Sequence, residues 1–301
     1  MKNVLQYYYN LKPETIHQKD SDFRFSVNGT DYLLKKIDDF NEELYELYEL
    51  NVYLLKNNIL FNQIMLNFEN KIATYVNGNL YILLKLHFSP RKIKTEDIVS
   101  FGRLNLDLSK FKKLNRSNWH TLWSNIVDYI EYQNSQFGKK YPIIRESVNY
   151  YIGMAENAIS LVENVKEHDF GLTISRRRIR NTDTLFDLYN PLGIVVDSRI
   201  RDIGEYYKNK FFTNFFSFEE MKKVIISYKI SSDEAMLLMA RMLYPSYYFD
   251  CYQKIVYGYI EEKTLYQYIN KCGQYEELLK ELYLFLRNYY NIPEIEWIIK
   301  T

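Results

Sequence analysis

The chain has 301 residues, 47% hydrophobic and 26% charged, which suits one or two globular domains with a sizeable core and argues against a disordered protein. Its 39 basic and 38 acidic side chains leave a net charge of +1, so no whole-chain field favours nucleic acid or an anionic membrane, and neither is expected as a partner. The two cysteines, Cys251 and Cys272, have neither CxxC spacing nor a histidine cluster beside them, which argues against a disulfide or zinc framework.

The opening "MKNVLQYYYN" carries one lysine and a short apolar stretch broken by Gln6, without a small-residue cleavage site, so no signal peptide is expected. Charged residues interrupt every apolar run well short of the roughly 18 to 20 residues of a membrane span. A soluble, cytoplasmic, thiol-reducing setting without membrane insertion follows. The 30 tyrosines and 18 phenylalanines make much of the apolar surface amphipathic, as suits a contact-making protein.

In chain order, "FRFSVNGTDYLLKKI" alternates around Asn28-Gly29 and predicts a β-hairpin over residues 23 to 37. From Asn41 to Asn57, Leu44, Leu47, Leu50 and Leu54 recur at spacings of three and four behind early glutamates, which predicts an amphipathic helix. Asn77-Gly78 divides "NKIATYV" from "NLYILLKLHF" and predicts a second hairpin. The polar stretch "HFSPRKIKTEDIVSFGRLN", with Pro90, marks a boundary, giving domains 1–88 and 89–301. Beyond it, helices are expected around Asn118 to Gln136 and Ile144 to Glu163, short β segments between 171 and 197, and further helices from Ser217, punctuated by Pro245 and Pro293. A small β-rich part followed by a large helical one is the layout of protein-kinase-like folds.

"NWHTLWSNIVDYIEYQ", "VNYYIGMAENAISLV", "RDIGEYYK", "LYPSYYFDCYQKI" and "YEELLKELYLFLRNYYNIPEIEWI", in that order, resemble the spore-coat-associated proteins of the YutH and CotS group over nearly the whole chain. The resemblance implies an α+β, bilobal protein-kinase-like fold like that of aminoglycoside and choline kinases, with a small β-rich N-lobe and a large helical C-lobe. It also implies an endospore-forming source. Phosphoryl transfer in such folds uses a strand lysine on the phosphates, a helix glutamate that orients it, a catalytic-loop aspartate, and Asn plus Asp on magnesium.

Lys35 on the second strand of the first hairpin is the candidate nucleotide-binding lysine, with Glu46 or Glu49 on the next helix as its partner; the alternative is a strand-face lysine and glutamates on a solvated helix face. The preceding "IHQKDSDF" contains no glycine, whereas a loop over phosphates needs close backbone approach. Asp197, after the apolar "GIVV", resembles the metal-binding aspartate, or else pairs with Arg199 or Arg201. The family's His-Gly-Asp, apolar residue, three residues and Asn have their best match in "RRRIRNTD". With Ile179 at the apolar position, Arg178 replaces the acid and Asp183 the amide; one residue earlier, Arg177 and Thr182 stand there. Arginine cannot accept a proton near neutrality.

Arg176, Arg178, Arg180, Arg199 and Arg201 are candidates for an anion site, since guanidinium forks suit phosphate or carboxylate; the alternative is that Asp183, Asp197, Asp202 and Glu205 neutralise them. His17, His87, His120 and His168 are dispersed without metal spacing, and Trp119, Trp123 and Trp297 read as packing. The expectation is a catalytically degenerate pseudokinase without a cofactor. It would act as a structural or assembly component of the spore coat, made in the mother-cell cytoplasm and bound to other coat proteins. The competing expectation is an active phosphotransferase on a small-molecule or protein hydroxyl, using ATP and Mg.

Overall fold

The computed structural model describes residues 1–38, 40–137, 140–163, 165 and 171–300, so His168 lies outside the described residues. From the amino end, helix α1 (Lys2–Tyr9) is followed by strands β1 (His17–Lys19), β2 (Asp22–Val27) and β3 (Thr30–Ile37), helix α2 (Glu42–Lys56), and strands β4 (Gln63–Met65), β5 (Thr74–Val76) and β6 (Asn79–Lys85). Then come α3 (Thr95–Phe101), α4 (Trp119–Phe137), α5 (Pro142–Val162), β7 (Leu172–Arg176), the single turn α6 (Leu185–Leu188) and β8 (Ile194–Ser198). The chain ends in α7 (Ile200–Phe212), α8 (Phe218–Tyr228), α9 (Ser232–Leu243), α10 (Ser246–Val256), α11 (Tyr266–Ile269), α12 (Cys272–Arg287) and α13 (Glu296–Lys300).

These elements form two compact units: residues 1–97, 107–115 and 182–195 in one, and 98–106, 116–181 and 196–301 in the other. The first is built on an antiparallel sheet ordered β1-β2-β3-β6-β4, with β5 also on β6. Both expected hairpins are present, because Asn28 (φ 50°) with Gly29 (φ 73°), and Asn77 (φ 49°) with Gly78 (φ 79°), supply the paired positive φ angles of a type I′ turn. Strand β6 is apolar on both sides: Ile82 and Leu84 pack with Leu44 under α2, while Tyr81 and Leu83 pack with Leu5 of α1 and Phe25. That two-sided burial is why its sequence runs "LYILL" without alternation.

Helix α2 matches its leucine spacing, with Asn41 as N-cap accepting the Leu44 N–H and Leu44, Leu47, Leu50 and Leu54 buried. Asn51 is buried among them. Its amide donates to the Asn62 carbonyl at 2.9 Å and its oxygen accepts the Ile64 N–H at 2.9 Å, so one polar side chain fastens the helix to β4. Helix α1, strand β1 and helix α7 were not anticipated from the sequence. In the second unit, α9 lies at the centre, packed by α5, α7 and α12, and residues 234 to 243 are buried save Met236. A helix apolar nearly all round is a core helix.

Replacing Asn51 by leucine adds apolar area but leaves the Asn62 carbonyl and the Ile64 N–H buried and unpaired. Asn51→Leu is therefore expected to destabilise by about 1 to 3 kcal/mol per lost partner set, read as a lower urea midpoint with an unchanged m-value.

Candidate functional site

In the first unit the kinase-like lysine has a local partner. Strand β1 pairs with β2 through the two-residue turn Asp20-Ser21, with Asp20 at φ 55°, and this hairpin ends at Asp22 opposite Lys19. Asp22 Oδ2 accepts the Lys35 ammonium at 3.0 Å, and its Oδ1 accepts the Lys36 N–H at 3.0 Å. The expected partners on α2 are engaged elsewhere or stand alone. Glu46 Oε2 accepts the backbone N–H groups of Lys113 (2.9 Å) and Leu114 (3.2 Å), and Glu49 lines a surface cavity. Lys35 thus goes to the nearest carboxylate across the hairpin rather than to the helix.

In the second unit, β7 and β8 pair as a two-stranded sheet and deliver Arg176 and Asp197 to its ends. Asp197 is fully buried, with both carboxylate oxygens in use. The Trp119 indole N–H donates to both, at 2.9 and 3.1 Å, the Ser198 N–H donates at 2.7 Å, and the Arg201 guanidinium at 2.5 Å. Complete burial pushes this carboxyl above its ordinary range, opposed by Arg201, Arg241 and the Trp119 N–H. Magnesium requires free oxygen ligands and dehydrates reluctantly. A carboxylate closed in by an indole, a backbone amide and a guanidinium does not fit that ion, and among the described residues no three His, Cys, Asp or Glu side chains form a metal-holding group.

Arg176 ends β7. Its N–H donates to both oxygens of buried Asp202 (2.9 and 3.0 Å), and its carbonyl accepts the Arg201 Nε–H at 3.2 Å. The backbone of the strand end is therefore gripped by the first turn of α7, whatever side chain it carries. The residue leaving the sheet is Arg176, and five positions on, at the acid-to-amide spacing of the resembled pattern, stands Asn181. The sequence reading passed over Asn181 because Ile179 had been used to set the register. Its N–H donates to Asn209 Oδ1 at 2.9 Å, while its own Oδ1 is buried without a hydrogen-bond partner. Asp183 belongs to the first unit, where its carbonyl accepts the Ile93 N–H. In each of these three alignments of the pattern, an arginine stands opposite its acid.

The arginines expected to share one anion site are spread over several environments. Arg178 binds Asp250 through two bonds (2.7 and 2.5 Å) and lines, with Arg180, a cavity of about 380 Å³. Arg199 binds Glu234 through two bonds (2.5 and 2.8 Å) in a separate hollow, and Arg201 is consumed by Asp197. Carboxylates across the fold neutralise these three, and of the acids named beforehand only Asp197 is among their partners.

Helix α7 carries the rest of the buried charge. Glu205 accepts the Lys208 ammonium (2.9 Å) and the Ser246 hydroxyl, and Arg241 Nε lies 2.9 Å away, off the line of a hydrogen bond. Lys208 also donates to the Tyr244 carbonyl at 2.9 Å, and burial lowers its pKa to about 8. Arg241 stacks 4.8 Å from the Trp119 ring, itself stacked on Trp123. Gly204 permits this approach, since a Cβ there would meet Arg241 Cγ at 2.9 Å.

Removing the cation from the buried Asp197 pair should be costly. Arg201→Met is expected to lower unfolding free energy by about 3 to 5 kcal/mol, with Asp197→Asn in the same chain recovering part of it, as measured by urea unfolding. Asp202 yields a pH signature, because burial without a facing cation of its own raises it from 3.8 to about 7. A carboxyl whose folded pKa exceeds its unfolded value favours the fold while protonated, so this contribution is fully present below the unfolded pKa and is lost as pH rises through the folded one. Between about pH 4 and 7 the Asp202 contribution should fall with rising pH, by at most about 1.4 kcal/mol per unit. Asp202→Asn should flatten that slope in urea titrations.

Three comparisons place the chain among known proteins. The family model described as "Spore coat putative kinase YutH" matches residues 2–282. The endospore coat-associated protein YutH of Bacillus subtilis (strain 168) is 25% identical over 92% of this chain and 91% of its own. Among solved structures, the aminoglycoside phosphotransferase of Alicyclobacillus acidocaldarius superposes with a TM-score of 0.67 at 8% identity, covering 92% of this chain and 93% of that one. Spectinomycin phosphotransferase follows at 0.56 and 11% identity (95% and 97% covered), and the choline kinase LicA of Streptococcus pneumoniae at 0.50 and 11% identity (93% and 97% covered). The fold is kinase-like, a small antiparallel-sheet part followed by a larger helical part, and the chain belongs to the YutH family of spore coat proteins.

Proposed function

We propose that this chain is a catalytically degenerate kinase-like protein, a pseudokinase, serving as a structural or assembly component of the spore coat. The observation that carries the reading is the arginine at the end of β7. A guanidinium stays protonated near neutrality and cannot receive the proton of an attacking hydroxyl. Absence of a general base removes about 10² to 10⁴ in rate, and a positive charge beside a metal site would add to that loss. Two further features support it: Lys35 is tied to Asp22, and the Asp197 oxygens are occupied by Trp119, Ser198 and Arg201.

The coat location is carried over from the Bacillus subtilis relative, whose name places it at the endospore coat. On this reading the protein is made in the mother-cell cytoplasm and its partners are other coat proteins. Its exposed tyrosines, such as Tyr259 and Tyr132, supply contact area at a low entropic cost. The competing reading, an ATP-dependent phosphotransferase on a small-molecule or protein hydroxyl, draws on Lys35, Asp197, the kinase-like fold and the family's description as a putative kinase.

Nucleotide binding separates the two. Saturating MgATP is expected to leave Tm within about 1 °C, whereas a ligand at a hundred times its Kd adds about 2.7 kcal/mol, several degrees for a chain of this size. A shift of that size accompanied by transfer of the γ-phosphate to a hydroxyl acceptor would defeat the pseudokinase reading. Absence of the tagged protein from purified coat fractions would defeat the coat role.

A further inference from the structure

The first unit holds a cavity of about 660 Å³ that Glu49 lines but Lys35 and Glu46 do not. Its floor is apolar, formed by Leu66, Ile72, Ala73 and Leu80. Five aromatic rings stand around it, those of Tyr8, Phe40, Tyr45, Tyr48 and Tyr75, with Phe40 and Tyr45 packed edge to face at 4.9 Å. The charges on the lining are unequal. Glu69 is paired with Lys71 at 2.6 Å, and Glu49 has no bonding partner among the described residues, which leaves one uncompensated carboxylate at the edge of an aromatic enclosure.

The wall is preformed. The Asn67 side chain accepts the N–H groups of Glu69 (2.9 Å) and Lys71 (3.0 Å) and donates to Thr74 Oγ1 (3.1 Å), which in turn meets the Tyr9 hydroxyl at 2.8 Å. Little ordering is left to be done on binding, which favours affinity.

We propose that this cavity binds a small organic cation, an ammonium group carrying an apolar body. Ring faces attract an ammonium through their quadrupoles, Glu49 supplies the counter-charge, and the floor accepts the hydrocarbon part. The volume is that of a small-molecule site. An anion would face Glu49 and the negative ring faces, and a neutral molecule would gain from the floor alone.

The test is calorimetric titration of the full chain with 2-phenylethylammonium chloride, its neutral analogue 2-phenylethanol, and phenylacetate. The ammonium should bind about tenfold more tightly than the alcohol, and phenylacetate should not bind. Glu49→Gln should weaken the ammonium several-fold and leave the alcohol unchanged, and Tyr75→Ala should weaken the ammonium as well. Both side chains are exposed, so wild-type melting temperatures in the two variants will show that any loss is at the site. Equal affinity for ammonium and alcohol, an unchanged ammonium affinity in Glu49→Gln, or no binding of the ammonium at millimolar concentration overturns the proposal.

Discussion

The Asp197–Arg201 pair is the contact around which the second unit is arranged. A fully buried carboxylate is tolerable only with its charge met and its lone pairs satisfied. Here the cation comes from one turn along α7, one donor from the backbone of the next residue, and the last from the Trp119 indole on α4. Arg201 then reaches with its Nε to the carbonyl of Arg176, so the same guanidinium links β8 to the end of β7. Behind it, Lys208 and Arg241 share the Glu205 carboxylate in a second buried group. Across the cluster the Asp197 and Glu205 carboxylates meet the cations of Arg201, Lys208 and Arg241, and this pairing lets α7 bury a charged face against α9.

This wiring separates fold from chemistry. What holds the end of β7 is its backbone, through the Asp202 carboxylate on its N–H and the Arg201 guanidinium on its carbonyl. The side chain at that position is not needed to keep the strand in place. The neighbouring Arg178 shows how a guanidinium is accommodated here, with its two bonds to Asp250. A kinase-like fold at 8% identity to an aminoglycoside phosphotransferase shows how far sequence can diverge while the fold is kept.

How much of this could be read beforehand depended on how local each signal was. The two Asn-Gly turns and the leucine spacing of α2 were legible because the turn geometry and the helical period reside in a few adjacent residues. Helix α7 was not, since the burial of Arg201, Asp202, Glu205 and Lys208 depends on Trp119, Arg176, Arg241 and Ser246 from elsewhere in the chain. The end of β7 was hard to place for a related reason. Ile179 offered a local apolar signal, whereas the end of the strand is set by pairing with β8 and by the bond to Asp202.

Lys35 and the glutamates of α2 have separate partners in this fold. In a phosphoryl-transfer site a helix glutamate is committed to orienting the strand lysine. Here the β1–β2 hairpin brings Asp22 to Lys35 at 3.0 Å, and a carboxylate fixed by strand register needs no helix movement to make the pair. The glutamates of α2 are placed elsewhere: Glu46 accepts the backbone N–H groups of Lys113 and Leu114, and Glu49 lines the aromatic cavity. An ammonium drawn into that cavity would meet a carboxylate that the fold has no other use for, on the same helix that Asn51 ties to β4. Any coupling between such a ligand and the stability of the sheet would run through that helix, because α2 contributes both Glu49 to the cavity and Leu44 to the core beneath β6.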